Sequence, residues 1–133
     1  MSYDITIGEG RPEGVREIER EDAPNWADDC LTGKGNHRHP GYSQWSEFCG
    51  VVGLEDLFFN PRNGLMRKHP GKERLTAEHA AAVKTALVRW NARHAVPAGW
   101  GEGEDPMKAR LIWLDYWTSW AVAHCAKPTI ENT

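Results

Sequence analysis

The sequence predicts a mainly α fold of the α+β class, in which a small N-terminal β element packs on a core of three or four helices. Two long segments, 76–94 and 105–126, carry this prediction because apolar residues recur in both at helical spacing. The third observation is the alternation of apolar and polar residues over 3–7, which is typical of a strand. We expect the two long helices to lie antiparallel at the centre of a single domain spanning 1–133.

The first part of the chain contains weak strand and turn signals. After the strand at 3–7, a second strand is expected over 15–20, which would form a hairpin with the first, although its charges also suit a loop. Residues 25–31 are expected to form a single helical turn. Residues 32–41 indicate a loop, because glycines and a Pro-Gly pair favour turns.

The middle of the chain predicts two shorter helices. Ser43 is expected to cap a helix of about ten residues, since a serine hydroxyl can accept from the N–H groups of the first turn. The apolar residues that share one face of this helix are Trp45, Phe48, Cys49 and Val52. A further short helix is predicted over 54–59, followed by a turn at 60–64 and a second polar loop at 66–72.

The two long helices have clear boundaries. Thr76 is the expected N-cap of the first, and Asp105 with Pro106 opens the second. The apolar arc of the first helix is formed by Ala80, Val83, Ala86, Leu87 and Trp90. The stripe of the second is formed by Trp113, Trp117, Trp120 and His124. Because the second helix is apolar over most of its circumference, we expect it to be the buried centre of the core.

Composition excludes several classes of protein. No apolar run approaches the roughly 18 residues of a membrane span, and the first residues lack the basic and apolar regions of a signal peptide. Three cysteines without paired spacing favour a reducing compartment, so a cytoplasmic location is expected. The short, tryptophan-rich chain resembles small proteins of bacteriophage or mobile-element origin, a likeness of style that implies no site.

Charge is distributed unevenly along the chain, although the net charge is only −3. Residues 1–29 carry nine acidic and three basic side chains, whereas residues 30–74 carry four acidic and seven basic ones. A basic, histidine-rich middle in an acidic protein indicates a local anion site and not a broad nucleic-acid-binding face.

Two turns in this basic region share one pattern. Residues 38–41 and 68–71 both read basic-His-Pro-Gly, and each could place a cation and an imidazole beside the start of a helix. If the two turns converge, they predict a site for a phosphate or nucleotide, or for a partner protein. The predicted ligand residues are Arg38, His39, Tyr42, Arg62, Arg67, Lys68 and His69. The competing interpretation is that His-Pro-Gly is favourable turn chemistry used twice.

Enzyme chemistry has little support in the sequence. A metal-dependent hydrolase or nuclease could use His37, His39 or His69, but the ligand spacings of known metal motifs are missing, so we expect neither a metal nor a cofactor. The favoured hypothesis is therefore a non-enzymatic binding or inhibitory protein. A third hypothesis is a homodimer or assembly subunit that uses Trp26 and Trp100, since tryptophan is enriched at interface hot spots.

Overall fold

The computed structural model describes residues 1–24, 26–28, 31–94 and 106–133. These ranges contain four helices and six short strands. In order, the elements are β1 (Ile5–Glu9), β2 (Trp26–Asp28), β3 (Leu31–Gly33), β4 (His37–Arg38), α1 (Tyr42–Val51), α2 (Glu55–Phe59), β5 (Gly71–Arg74), α3 (Ala77–Arg93), α4 (Pro106–His124) and β6 (Pro128–Asn132). The α+β class is consistent with this arrangement. No helix in the described ranges has the length and apolar character needed to cross a membrane.

Four strands form one antiparallel sheet in the order β4-β1-β6-β5. Its register places Arg38, Ile5, Asn132 and Gly71 in one row. The next row contains His37, Thr6, Glu131 and Lys72. Because paired residues share a face and neighbouring residues alternate, these two rows point to opposite faces of the sheet.

The two faces of the sheet have different environments. Ile5, Ile7 and Ile130 are completely buried in the same core cluster as the tryptophans of α4, so this is the core face. The opposite, outer face is covered by the segment after β1, where the backbone N–H of Val15 donates to Glu131 Oε1 at 3.2 Å. Successive side chains of one strand therefore point in turn to the core face and to this outer face.

The predicted N-terminal hairpin is wrong, because β1 pairs with β4 and β6 and not with residues 15–20. That segment runs beside residues 34–36, held by the Asn36 side chain, whose Oδ1 accepts from Ile18 N–H at 2.8 Å. The side-chain amide of Asn36 also donates to Ile7 O at 2.8 Å, and Asn36 itself is fully buried. This side chain holds the segment together with two backbone hydrogen bonds, from Asn36 N–H to Ile18 O and from Arg20 N–H to Lys34 O.

The predictions for 25–31 and 32–41 are also corrected. Residues 26–28 form a strand that pairs antiparallel with β3, where a helical turn was expected, and the expected loop contains β4 and most of β3. Strand pairing satisfies backbone groups that an isolated helical turn would leave without partners.

The long helices agree with the sequence. Thr76 caps α3, its Oγ1 accepting from His79 N–H at 3.3 Å, and the buried residues of α3 lie on the predicted arc. Helix α3 packs along α4, where Lys84 Nζ lies 3.0 Å from Asp115 Oδ1. Their antiparallel orientation stays a prediction, and Asp105 lies outside the described residues.

The cap predicted for α1 is wrong. The N-cap is Gly41, and Ser43 lies exposed in the first turn. The reason is that Gln44 reaches back and its Oε1 accepts from Gly41 N–H at 3.0 Å, which begins the helix two residues earlier than expected.

The tryptophan stripe of α4 is buried only in part. Trp113 and Trp117 are fully buried, whereas Trp120 is half-buried and His124 is exposed. Arg110, near the start of the helix, is buried as well. The stripe therefore ends where α4 leaves the sheet and approaches the turn into β6.

Candidate functional site

The two His-Pro-Gly turns lie at the same end of the four-stranded sheet. The first follows β4 and is tied to the N-terminus, since Tyr3 N–H donates to Pro40 O at 2.9 Å. The second precedes β5, where Gly71 pairs with Asn132. The register thus brings together two turns that are separated by about thirty residues in sequence.

The meeting point of the turns is a group of four side chains, Tyr3, Tyr42, His69 and Asn132, called the loop junction below. Tyr42 Oη lies 3.0 Å from His69 Nε2, and His69 Nδ1 lies 2.6 Å from Asn132 Oδ1. The Tyr3 ring packs against the other two rings, with centroid distances of 4.7 Å to Tyr42 and 4.9 Å to His69. One imidazole therefore connects the first turn to the last strand.

The hydrogen bonds fix the donor and acceptor roles at this junction. Asn132 Nδ2 donates to Lys68 O at 3.0 Å, so its Oδ1 is the atom that faces His69 and accepts from Nδ1–H. In the neutral imidazole, Nε2 then accepts the phenol proton of Tyr42. The neighbouring Tyr3 phenol has a raised pKa, first because of burial and then because of Tyr42 and Cys49.

The start of α1 adds backbone donors next to Tyr42. Gly41 has no side chain that could cap the N–H groups of Ser43 and Gln44, the second and third residues of α1. A helix N-terminus carries partial positive charge and favours anions. Tyr42 and the first turn of α1 together offer an anion a phenol and backbone N–H groups.

The predicted ring of cations does not form around the junction. Arg38 is fully buried on the core face, with its guanidinium carbon 5.3 Å from the centroid of the Trp113 ring. His39 faces Asp4, whose Oδ1 is 3.4 Å from His39 Nδ1. The reason is the alternation of the strand, which sends two adjacent side chains to opposite faces.

The other predicted ligand residues also differ in their environments. Arg67 is engaged by Glu73, with Nη1 2.7 Å from Oε1, and also donates to Gly64 O. Arg62 is exposed in the turn after α2. Lys68 is exposed and directly precedes His69, so it is the predicted cation that the chain places next to the junction.

Of the three histidines of the hydrolase hypothesis, His37 and His39 lie together, with ring centroids 5.5 Å apart, and His69 has other neighbours. His37 lies on the outer face, 3.7 Å from Glu17, whereas His69 contacts Asn132 of the core-face row. Within the described ranges, no group of three histidine, cysteine or carboxylate side chains is arranged to hold a metal ion. For the homodimer hypothesis, the side chain of Trp26 and all of Trp100 lie outside the described residues.

Sequence reasoning missed Asn132 and Tyr3, which complete the junction. Neither carries a motif: Asn132 reaches the site through the pairing of β6 with β1, and Tyr3 through its backbone hydrogen bond to Pro40. The signal that could have indicated Asn132 is its place at the end of an Ile-containing segment after Pro128.

Comparison of the chain with models of protein families, with curated proteins and with solved structures returns no match.

Proposed function

We propose that the protein is a small, non-enzymatic binding protein that captures an anionic small molecule, a phosphate or a nucleotide, at the loop junction. The observation that carries this proposal is the contact between the two turns, in which Tyr42 Oη lies 3.0 Å from His69 Nε2. This contact joins a phenol in the first turn of α1 to an imidazole, and the residue that precedes the imidazole in the sequence is the exposed Lys68.

The donors at this point suit an anion. The ammonium group of Lys68 would supply charge, and the backbone N–H groups of Ser43 and Gln44 would supply direction. The proton of the Tyr42 hydroxyl is donated to His69, so Tyr42 would contribute its ring and not a hydrogen bond to the anion. His69 is assigned a supporting role, because both of its ring nitrogens are already engaged by neighbours.

The aromatic rings favour a nucleotide among phosphate-bearing ligands. Tyr42 is half-exposed and lies beside the half-buried Tyr3, so a base could stack on a rigid aromatic surface. Arg38, His39 and Arg67 receive no direct contact in this proposal, because each is buried or held by another group. Arg62 is exposed in the turn after α2, and the proposal assigns it at most a place at the rim of the anion site.

The test is a titration of ¹⁵N-labelled full-length protein with inorganic phosphate and with adenosine monophosphate. Amide shifts are expected at Ser43, Gln44 and Lys68. The double variant Tyr42→Phe/Lys68→Gln should weaken binding by about tenfold or more, because it removes one charged hydrogen bond to the ligand and the hydroxyl that holds the Tyr42 ring against His69. Tyr42→Phe keeps the aromatic ring and Lys68 is exposed, so the melting temperature should change little.

Arg89→Gln provides a matched control, since Arg89 is an exposed cation on α3. It should leave the affinity unchanged. Absence of shifts in the first turn of α1, or equal weakening by the control and the double variant, would remove the proposal.

A further inference from the structure

A second concentration of positive charge lies on the outer face of the sheet, in a shallow groove with a volume of about 340 Å³. The turn after β1 forms one side, and strands β5 and β6 form the other. The groove is lined by Gly10, Arg11, Pro12, Lys72, Glu73, Arg74, Lys127 and Thr129. We call it the basic groove. Its four cations come from three separate parts of the chain, so no local run in the sequence indicates it.

The charge of the basic groove is poorly compensated. In the described part of the chain, no carboxylate lies within ion-pair distance of the charged groups of Arg11, Lys72, Arg74 or Lys127. Glu73, the carboxylate in the lining, is bound to Arg67 at 2.7 Å. Four cations therefore face one groove in a protein whose net charge is −3.

Glu9 is the other carboxylate that acts on this region. Its two oxygens accept from the backbone N–H groups of Ala126 and Lys127, at 2.9 Å and 2.6 Å. These hydrogen bonds are the main cause of its lowered pKa, with smaller effects from the charges of Arg11 and Lys127. Because both oxygens are engaged by backbone donors, Glu9 offsets the positive charge without occupying the guanidinium and ammonium groups.

The walls of the groove are held in place by polar contacts. Lys72 Nζ donates to Arg11 O at 3.3 Å and to Pro12 O at 3.4 Å, which ties the turn to β5. Thr129 Oγ1 donates to Lys127 O at 2.9 Å. A Cβ atom added at Gly10 would lie 2.3 Å from Thr129 Oγ1, so the glycine allows the turn to approach the sheet. The four cations of the basic groove thus extend from backbone segments that these hydrogen bonds hold in place.

We propose that the basic groove binds the diphosphate or triphosphate group of an anionic ligand, as a site separate from the loop junction. Arginine matches phosphate oxygens with paired N–H donors, and Arg11 and Arg74 supply two such groups. The ammonium of Lys72 has one N–H left after its two backbone contacts, and Lys127 adds a fourth charge. Four cations match a polyphosphate better than a monoanionic carboxylate, whose charge would leave most of them unneutralised.

The test is isothermal titration calorimetry of the full-length protein with inorganic pyrophosphate, and with acetate for comparison. Pyrophosphate should bind, and acetate should bind at least about tenfold more weakly. The variant Arg11→Gln/Arg74→Gln should weaken pyrophosphate binding by about tenfold or more, because two charge-assisted contacts are lost. Both side chains are exposed, so the melting temperature should stay close to that of the parent protein.

The matched control is Arg89→Gln/Arg93→Gln, which makes the same change in net charge on exposed positions of α3. It should bind pyrophosphate as the parent does. In ¹⁵N spectra, pyrophosphate should shift Gly10, Arg74 and Thr129, and the junction variant Tyr42→Phe/Lys68→Gln should keep these shifts, which separates the two sites. Equal loss in the control, equal binding of acetate, or an unchanged affinity of Arg11→Gln/Arg74→Gln would overturn the inference.

Discussion

Asn132 and His69 are joined by a hydrogen bond of 2.6 Å between Oδ1 and Nδ1, although β5, α3, α4 and most of β6 separate them in the sequence. The same asparagine donates to the backbone oxygens of Lys68 and Gly71, at 3.0 Å and 3.5 Å. One buried amide thus holds the second His-Pro-Gly turn against β6 and orients the imidazole that Tyr42 contacts.

Replacement of Asn132 by leucine should destabilise the protein. The change keeps the branched shape and the number of side-chain heavy atoms but removes every side-chain hydrogen bond of a residue that is only 1% exposed, and it leaves Lys68 O and His69 Nδ1 without this partner. We expect a loss of about 1–3 kcal/mol in the free energy of unfolding, measured by urea denaturation. Asn91→Leu on the exposed side of α3 should change it by less than about 0.5 kcal/mol. Equal effects of the two changes would show that the hydrogen bonds of the Asn132 side-chain amide contribute nothing to the free energy of unfolding.

Phenylalanine should be tolerated differently at two buried tryptophans. Trp113 Nε1 donates to Gly35 O at 3.0 Å, whereas the indole N–H of Trp45 is buried without a hydrogen-bond partner in the described part of the chain. Both replacements remove the same volume, so their difference reports the hydrogen bond to Gly35 and the contact of Arg38 with the Trp113 ring. Trp113→Phe should lower the free energy of unfolding by about 1–3 kcal/mol more than Trp45→Phe. Chemical denaturation of both variants measures this difference, and an equal loss would contradict the assignment.

His79 should make the stability of α3 depend on pH. Its Nδ1 accepts from Thr76 N–H at 3.0 Å, which requires an unprotonated nitrogen, and burial lowers its pKa below the ordinary 6.5 more than Glu78 and Glu73 raise it. A lowered pKa means that the neutral form is favoured by folding. This contribution to stability is therefore complete above pH 6.5 and is lost as the pH falls through the folded-state pKa.

Glutamine at position 79 offers the same acceptor without titrating. Between about pH 7 and about pH 5, the parent should lose more stability than His79→Gln, by up to the roughly 1 kcal/mol that a helix cap contributes. Thermal melts at a series of pH values measure the difference. Parallel melting curves would show that the cap does not depend on the charge of this imidazole.

Glu9 should stabilise the turn from α4 into β6 through its charge. Its pKa lies below the ordinary 4.5 because its carboxylate accepts two backbone N–H bonds. Its contribution is therefore present above pH 4.5 and is lost as the pH falls through the lowered folded-state value. The variant Glu9→Gln should be less stable than the parent at neutral pH and should show a shallower acid transition in a circular-dichroism titration. Glu13→Gln, at an exposed position of the neighbouring turn, is the control and should follow the parent.

The helices were readable from the sequence because their information is local. In α3, the cap at Thr76 and the arc ending at Trp90 lie within one continuous segment, and the structure confirms both. The start of α1 was misplaced because Gln44, three residues after the observed N-cap Gly41, supplies the capping group in place of the expected Ser43. Spacing fixes which face is apolar more securely than it fixes the first residue of a helix.

Most of the sheet was not readable for the opposite reason, although the strand predicted over 3–7 overlaps β1. β5 reads Gly-Lys-Glu-Arg and β6 is a short segment that begins with a proline, so neither has a clear strand signal. Both segments form strands because they pair with segments that lie far away in the sequence. The basic groove could not be predicted from the sequence for the same reason, because its cations lie far apart in the sequence. Arg11 and Lys127 come from regions whose local charge balance gives no indication of an anion site.

The position of β6 between β1 and β5 has a consequence for biosynthesis. During translation, β1 emerges from the ribosome long before the strand that must lie beside it, because residues 10–127 are made in the interval. The nascent chain can form α1 and α3 early, because their hydrogen bonds are local, but β1 cannot pair with β6 until β6 itself has been made. An unpaired strand edge is a template for aggregation, so the unfinished chain carries this liability until β6 emerges.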